Sequence, residues 1–238
     1  MMDGRFYKLL SVLAVLVGLP LAALSALYLE NSRGYYISAT LAVFSALAAF
    51  ILDFEGKKPK TSEIVIISVM SAIAVAGRAA FAPFPQFKPM LAVIVTTAAC
   101  FGAPSGCLVG VVAAFVSNFI FGQGPLTPWQ MFGFGLCGLI AGAVLSGGGI
   151  HERLRKNKLC ACFVGSFLAF VPYGALLNPA SVLTLYGSEA TLSEFAAAYV
   201  SGFPFDLVHA VSTFIFLYVL YKPFCDKLMR VKVKYGLH

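Results

Sequence analysis

The sequence predicts an all-α polytopic membrane protein, from two bulk properties and one charge pattern. Of its 238 residues, 60% are hydrophobic and only 11% charged, with a mean hydropathy of +0.88. Soluble domains carry roughly 25% charged residues and cannot hide this much apolar surface. Several apolar runs approach or pass the roughly 18–20 residues that cross a bilayer. The 17 basic residues, finally, cluster in a few short segments between those runs and in the tail, which is how a membrane protein fixes its orientation.

Taken in order, the runs predict helices near 8–29, 35–53, 63–82, 89–101, 105–121, 129–148, 159–177 and 203–222. The first follows Arg5 and Lys8 as a secretory signal would. It is longer than the apolar region of such a signal and lacks a small-residue cleavage site, so it reads as a helix. The stretch 89–121 is the difficult one, because a single helix there would be about 48 Å long against a hydrocarbon core of roughly 30 Å. "FGAPSG" (101–106) supplies the Gly, Pro and Ser that break helices.

Charge supports that break. With eight crossings, one side receives Arg5, Lys8, Lys57, Lys58, Lys60, the basic residues of "HERLRKNK" (151–158) and the tail from Lys222 onward. The other side receives Arg33, Arg78 and Lys88, so the division is fourteen against three. Without the break much of this asymmetry is lost. Eight helices with both termini cytoplasmic, in the plasma membrane, is the consistent topology.

The net charge of +7 therefore marks membrane orientation, and a nucleic-acid partner is not expected. The six Cys lie mostly in or beside apolar runs without metal-ligand spacing and read as small buried residues. HExxH, GxSxG and GxxxxGK[ST] are absent from the sequence. Ser212 at i+3 from His209 is a thin basis for a hydrolase, so no catalytic residue, metal or cofactor is expected. Without an ATP-binding motif, uphill transport would need energy from elsewhere.

On the side opposite the basic segments lie "RAAFAPFPQFKP" (78–89), "GQGPLTPWQM" (122–131), the acidic stretch 178–202 and "FPFDLVHA" (203–210). Thr191 and Glu194 form a capping-box pattern that predicts a short separate helix, usable as a lid. Arg78, Asn118, Asn178, Asp206 and His209 sit at or near helix ends on this side. Ionisable groups at such depths face water-filled pockets or each other. Two readings stay open: an Arg78–Asp206 pair or a snorkelling Arg78 that only locks helices, or a pocket for a small molecule. Trp129 is equally an interfacial anchor or, with Gln123, Gln130 and the stiffening Pro125 and Pro128, part of a pocket wall. Ser68, Ala72, Ala76 and Ala80 form a small-residue stripe that fits internal packing or a partner helix; Gly138 and Gly142 share that ambiguity.

The segments "SAIAVAGRAAFAPFPQFKP", "GAPSGCLVGVVAAFVSNFIFGQGPLTPWQM" and "GFPFDLVHAVSTFIF" resemble the substrate-binding S component of energy-coupling factor (ECF) transporters, the vitamin-uptake class of ABC transporter. The resemblance covers about 63–222. It implies a six-helix, S-component-like bundle at 63–238 with a basic cytoplasmic tail, preceded by two extra transmembrane helices in 1–62. It implies capture of a vitamin or related micronutrient at the outer face, with 83–89 as gate and 122–128 and the outer helix ends as walls. The expected binding residues are Arg78, Phe81, Gln86, Lys88, Asn118, Gln123, Thr127, Trp129, Gln130, Asn178, Asp206 and His209. Ala72 and Ala76 are expected to dock on a transmembrane coupling subunit that works with two cytoplasmic ATPase subunits. A cobalamin or corrinoid-type ligand is favoured, and Arg78 and Lys88 suit a carboxylate or phosphate. The rival reading is a self-sufficient channel or secondary carrier.

Overall fold

Helix follows helix along the chain in the computed structural model, which describes residues 32–56 and 61–236; the helix expected near 8–29 lies outside the described residues. The helices are α1 (Ser32–Gly56), α2 (Thr61–Ala80), α3 (Met90–Phe101), α4 (Ala103–Phe121), α5 (Thr127–Leu145) and α6 (Ile150–Lys156). They continue with α7 (Lys158–Leu168), a π turn (Ala169–Tyr173), α8 (Gly174–Tyr186), a 3-10 turn (Gly187–Glu189) and α9 (Leu192–Lys234). No strand occurs among the described residues. Five helical stretches are long and apolar enough to span a bilayer, and α3 is a shorter apolar helix.

These residues fall into two compact units, one within Met1–Pro59 and Leu177–Val200, the other within Lys60–Leu176 and Ser201–His238. In the first, α1 packs on the 3-10 turn. Its buried Val43 and Leu47 lie one turn apart, while Ile37, Leu41, Phe44 and Ile51 remain exposed. This helix is apolar nearly all round, without one dominant apolar stripe.

The second unit is built around α3. Every residue from Met90 to Cys100 is buried, which explains how a helix of 12 residues is tolerated: it meets protein on all sides and need not match the bilayer. Lys232 Nζ closes its far end by donating to the Cys100 carbonyl at 3.0 Å. At Gly102 the chain turns with φ of 94°, a conformation that a residue with a Cβ rarely adopts. Four residues to either side, Gly106 lies so close to Ala98 that an added Cβ would overlap it. The chain doubles back here, so the break expected at "FGAPSG" is a reversal.

Helices α4 and α5 then meet backbone to backbone. A Cβ on Gly110 would overlap the Phe134 carbonyl, one on Gly138 the Gly106 carbonyl, and one on Gly142 the Ala103 backbone. The Gly138–Gly142 pair therefore serves internal packing, meeting Gly106 and the Gly102–Ala103 backbone, as small residues do where membrane helices approach closely.

Two expectations for the later part of the chain need correction. Asn178 was expected just past a helix end, but α8 continues through it and Pro179 to Tyr186. Half of the capping box forms: the Thr191 N–H and Oγ1 both donate to the Glu194 carboxylate, while the Glu194 N–H donates to the Thr191 carbonyl. The helix it opens does not stop near Val200 as a separate lid; it runs on as α9, with Gly202 and Pro204 inside it. Gly costs a helix only about 1 kcal/mol, and an apolar environment offers the backbone no water to compete for its hydrogen bonds.

The glycine contacts give the first test. Gly110→Ala and Gly138→Ala place a methyl against main chain that no rotamer change can clear, and each is expected to cost about 1–3 kcal/mol or more. Gly124→Ala, which points into open space, is expected to leave the unfolding midpoint in detergent nearly unchanged.

Candidate ligand-binding site

Arg78 stands in the last turn of α2, half-buried in an otherwise apolar helix. Its Nη1 donates to Ser117 Oγ and, at 2.9 Å, to Asn118 Oδ1 on α4. Asn118 passes the interaction on, its Nδ2 donating to Gln130 Oε1 at 2.8 Å and Thr127 Oγ1 at 3.1 Å. Thr127 Oγ1 also accepts the Gly124 N–H at 3.0 Å. One buried amide thus ties α2, α4, α5 and the 122–126 loop together. Because the Gln130 carbonyl is taken up by Asn118, its amide N–H groups are the part left for other partners.

The segment 81–89 covers this network. Its ends are held by the Phe81 and Phe87 rings against Phe216 of α9, with centroids 5.0 and 5.3 Å apart. The Lys88 carbonyl accepts from Ser212 Oγ at 3.2 Å. Between these anchors Ala82–Gln86 are exposed, and Gln86 takes a φ of 55°. Lys88 Nζ donates to the Phe84 carbonyl at 3.3 Å and lies 5.3 Å from the centre of the Phe121 ring; the Arg78 guanidinium shares that ring at 4.6 Å. Burial, and then the neighbouring Arg78 charge, lower the Lys88 pKa from its ordinary value.

A cavity of about 80 Å³ opens between these groups, lined by Arg78, Gln86, Lys88, Met90, Gln130, Phe134, Tyr173 and His209. One wall is aromatic: Tyr173 lies 4.6 Å from Phe134, and His209 meets Tyr173 edge-on at 5.0 Å and Phe134 at 6.0 Å. The rest of the lining includes two cations and two amides, and no carboxylate is among the lining residues. This geometry receives an electron-rich, flat molecule: rings can lie against the wall while carbonyl or anionic oxygens take the donors.

Of the residues expected from sequence, Arg78, Gln86, Lys88, Gln130 and His209 line this cavity. Asn118 and Thr127 hold it from behind, and Phe81 anchors the covering segment. Gln123 is exposed and donates to the Phe115 carbonyl at 3.1 Å. Trp129 is half-buried outside the lining set, its indole N–H buried without a hydrogen-bond partner among the described residues. The Asp206 carboxylate packs against Gly174, where an added Cβ would lie 2.6 Å from an oxygen. Asn178 belongs to the other compact unit. Sequence reasoning passed over Met90, Phe134 and Tyr173. Phe134 was within reach, since it lies at i+4 from Gln130 on the same helical face. Away from the cavity, Ser68, Ala72, Ala76 and Ala80 are all exposed along α2.

Fold and cavity define a multi-pass membrane protein with a polar, aromatic-walled chamber embedded in a helical bundle. The family model described as "ECF-type riboflavin transporter, S component" matches residues 58–225, and the chain belongs to that family. It is accordingly a transport component serving vitamin uptake through an ECF transporter, and the family is not one of enzymes. No curated protein and no solved structure matches the chain.

The hub role of Asn118 sets a stability test. Asn118→Leu strips partners from Arg78, Thr127 and Gln130 together and is expected to lower stability by about 2–4 kcal/mol, read as the unfolding midpoint in detergent. Gln123→Ala, which removes one exposed hydrogen bond, is expected to change it by less than about 0.5 kcal/mol.

Proposed function

We propose that this S component captures a flavin-type vitamin, riboflavin or a close relative, and delivers it through an ECF transporter. The observation that carries the reading is the pairing of the Phe134–Tyr173–His209 wall with the donors Arg78, Lys88, Gln86 and Gln130 across one cavity. An isoalloxazine ring is planar and presents carbonyl and ring-nitrogen acceptors along one edge, which suits both sides. The corrinoid favoured by the sequence fits less well. Small-molecule pockets run to roughly 300–1,000 Å³, so the present cavity must widen even for a flavin, and a corrin macrocycle asks for far more. The family name points the same way.

Widening falls to segment 81–89, the gate of this proposal, which is held at Phe81, Phe87 and Lys88 and exposed between. Gln123, Asn178 and Asp206 carry no weight in this assignment. The basic segments are cytoplasmic, so the gate faces outward and both termini face inward. The exposed stripe at Ala72 and Ala76 is the docking track for a transmembrane coupling subunit, which works with two ATPases. Helix α1 belongs to an extension that precedes the six-helix domain at 63–238.

Titration of the purified protein with riboflavin, followed by quenching of flavin fluorescence, tests the ligand class. Saturable quenching is expected, about 10–100-fold weaker in Arg78→Ala, which loses a charged donor. Saturable cobalamin binding by calorimetry, with no flavin binding, would overturn the assignment. In proteoliposomes the protein alone is expected to bind flavin without accumulating it; accumulation would favour a self-sufficient carrier.

Docking has its own readout. Ala72→Leu or Ala76→Leu is expected to abolish co-purification with the coupling subunit while leaving flavin affinity within about twofold, since bulk on an exposed stripe blocks helix approach and not the cavity.

A further inference from the structure

A second cavity, of about 550 Å³, lies between α6, the start of α7 and the last part of α9. Arg155, Lys156, Lys158 and Lys222 line it against Glu152 and Asp226, leaving the lining two positive charges in excess. Glu152 is already held by Lys156 at 2.8 Å, and this pairing keeps its carboxylate pKa below the usual value. Tyr221 forms part of the floor and donates its hydroxyl to the Arg155 carbonyl at 3.0 Å, which fixes α6 against α9. The cavity is therefore a constructed recess with cations around an apolar floor, not a scatter of surface lysines.

What leads away from it decides the ligand. Lys158 Nζ sits 3.6 Å above the Tyr218 ring. Tyr218 stacks on Phe214 with rings 7° from parallel, and Phe214 meets Phe163 edge-on at 5.4 Å. Tyr218 and Phe163 are 49% and 65% exposed. This aromatic strip follows α7 and α9 away from the cations and into their apolar lengths. A free anion would use the recess alone, whereas an amphiphile with an anionic head and hydrocarbon tails uses both parts.

We infer that this recess binds the phosphodiester headgroup of an anionic phospholipid, with an acyl chain lying along the Tyr218–Phe214–Phe163 strip. Basic pockets between membrane helices hold anionic headgroups in this way, each nearby Lys or Arg adding to the attraction. The site is separate from the vitamin cavity and shares no lining residue with it.

The test uses full-length protein in neutral detergent, with mixed micelles of phosphatidylglycerol or phosphatidylcholine added and the unfolding midpoint followed. Phosphatidylglycerol is expected to raise the midpoint saturably, because a ligand bound only by the native state stabilises it, and phosphatidylcholine is not. Lys222→Gln is expected to need about fivefold more phosphatidylglycerol for the same shift. Lys222 is exposed, so the fold is not at risk. Lys227→Gln, exposed on the same helix outside the recess, is expected to behave as wild type. Equal shifts with both lipids, the same shift with inorganic phosphate alone, or equal weakening by Lys227→Gln would each overturn the inference. Native mass spectrometry gives a second reading that needs no variant: one tightly retained phosphatidylglycerol supports the site, and none defeats it.

Discussion

A guanidinium near the end of an apolar membrane helix has to find its partners inside the protein, since hydrocarbon offers none. Arg78 meets that requirement through Ser117 and Asn118, and the rest of the site depends on how Asn118 is held. Its amide is used at both ends, accepting from Arg78 and donating to Thr127 and Gln130. Those donations require α4 and α5 to lie at one register and very close together. The glycines at 106, 110, 138 and 142 make that possible by letting the two backbones approach where a Cβ would collide. Packing energy on one stretch of the helix pair is thus converted into polar geometry further along it, where Gln130 and Phe134 reach the cavity from one face of α5.

Much of the fold was legible because membrane helices follow simple rules. Length and hydropathy located them, the charge asymmetry demanded a break within 89–121, and Gly102 supplies it. The failures come from places where local chemistry is overruled. The Thr191–Glu194 pattern reads as opening a short separate helix, yet α9 runs on from Leu192 to Lys234. Local position explains the uneven outcome at "GQGPLTPWQM", with Gln123 in the loop and Trp129 and Gln130 in successive places on α5. Gln130 turns into the cavity, while Gln123 bonds back to Phe115 and Trp129 lies outside the lining. Residue type alone says nothing about which way each one points.

The two small-residue stripes make the same point more sharply. Ser68, Ala72, Ala76 and Ala80 share their spacing logic with Gly138 and Gly142, yet the first set is exposed and the second is sealed against α4. A repeat of four states that a helix face is smooth; only tertiary structure states what lies upon it. The aromatic wall was hidden for a related reason. Phe134 and Tyr173 stand among apolar neighbours and gave no contrast, whereas Arg78 and Lys88 stood out from theirs. Tyr173 closes a π turn containing Pro172, an irregularity of the kind that often accompanies function in helices.

Helix α3 carries one more implication. It begins at Met90, which lines the cavity beside Arg78 and Lys88, and it is buried from there to Cys100. A helix without lipid neighbours is insulated from the thickness, lateral pressure and composition of the bilayer, all of which act on the outer helices first. The chamber therefore rests on an internal post, and the bilayer reaches it only through the helices packed around that post.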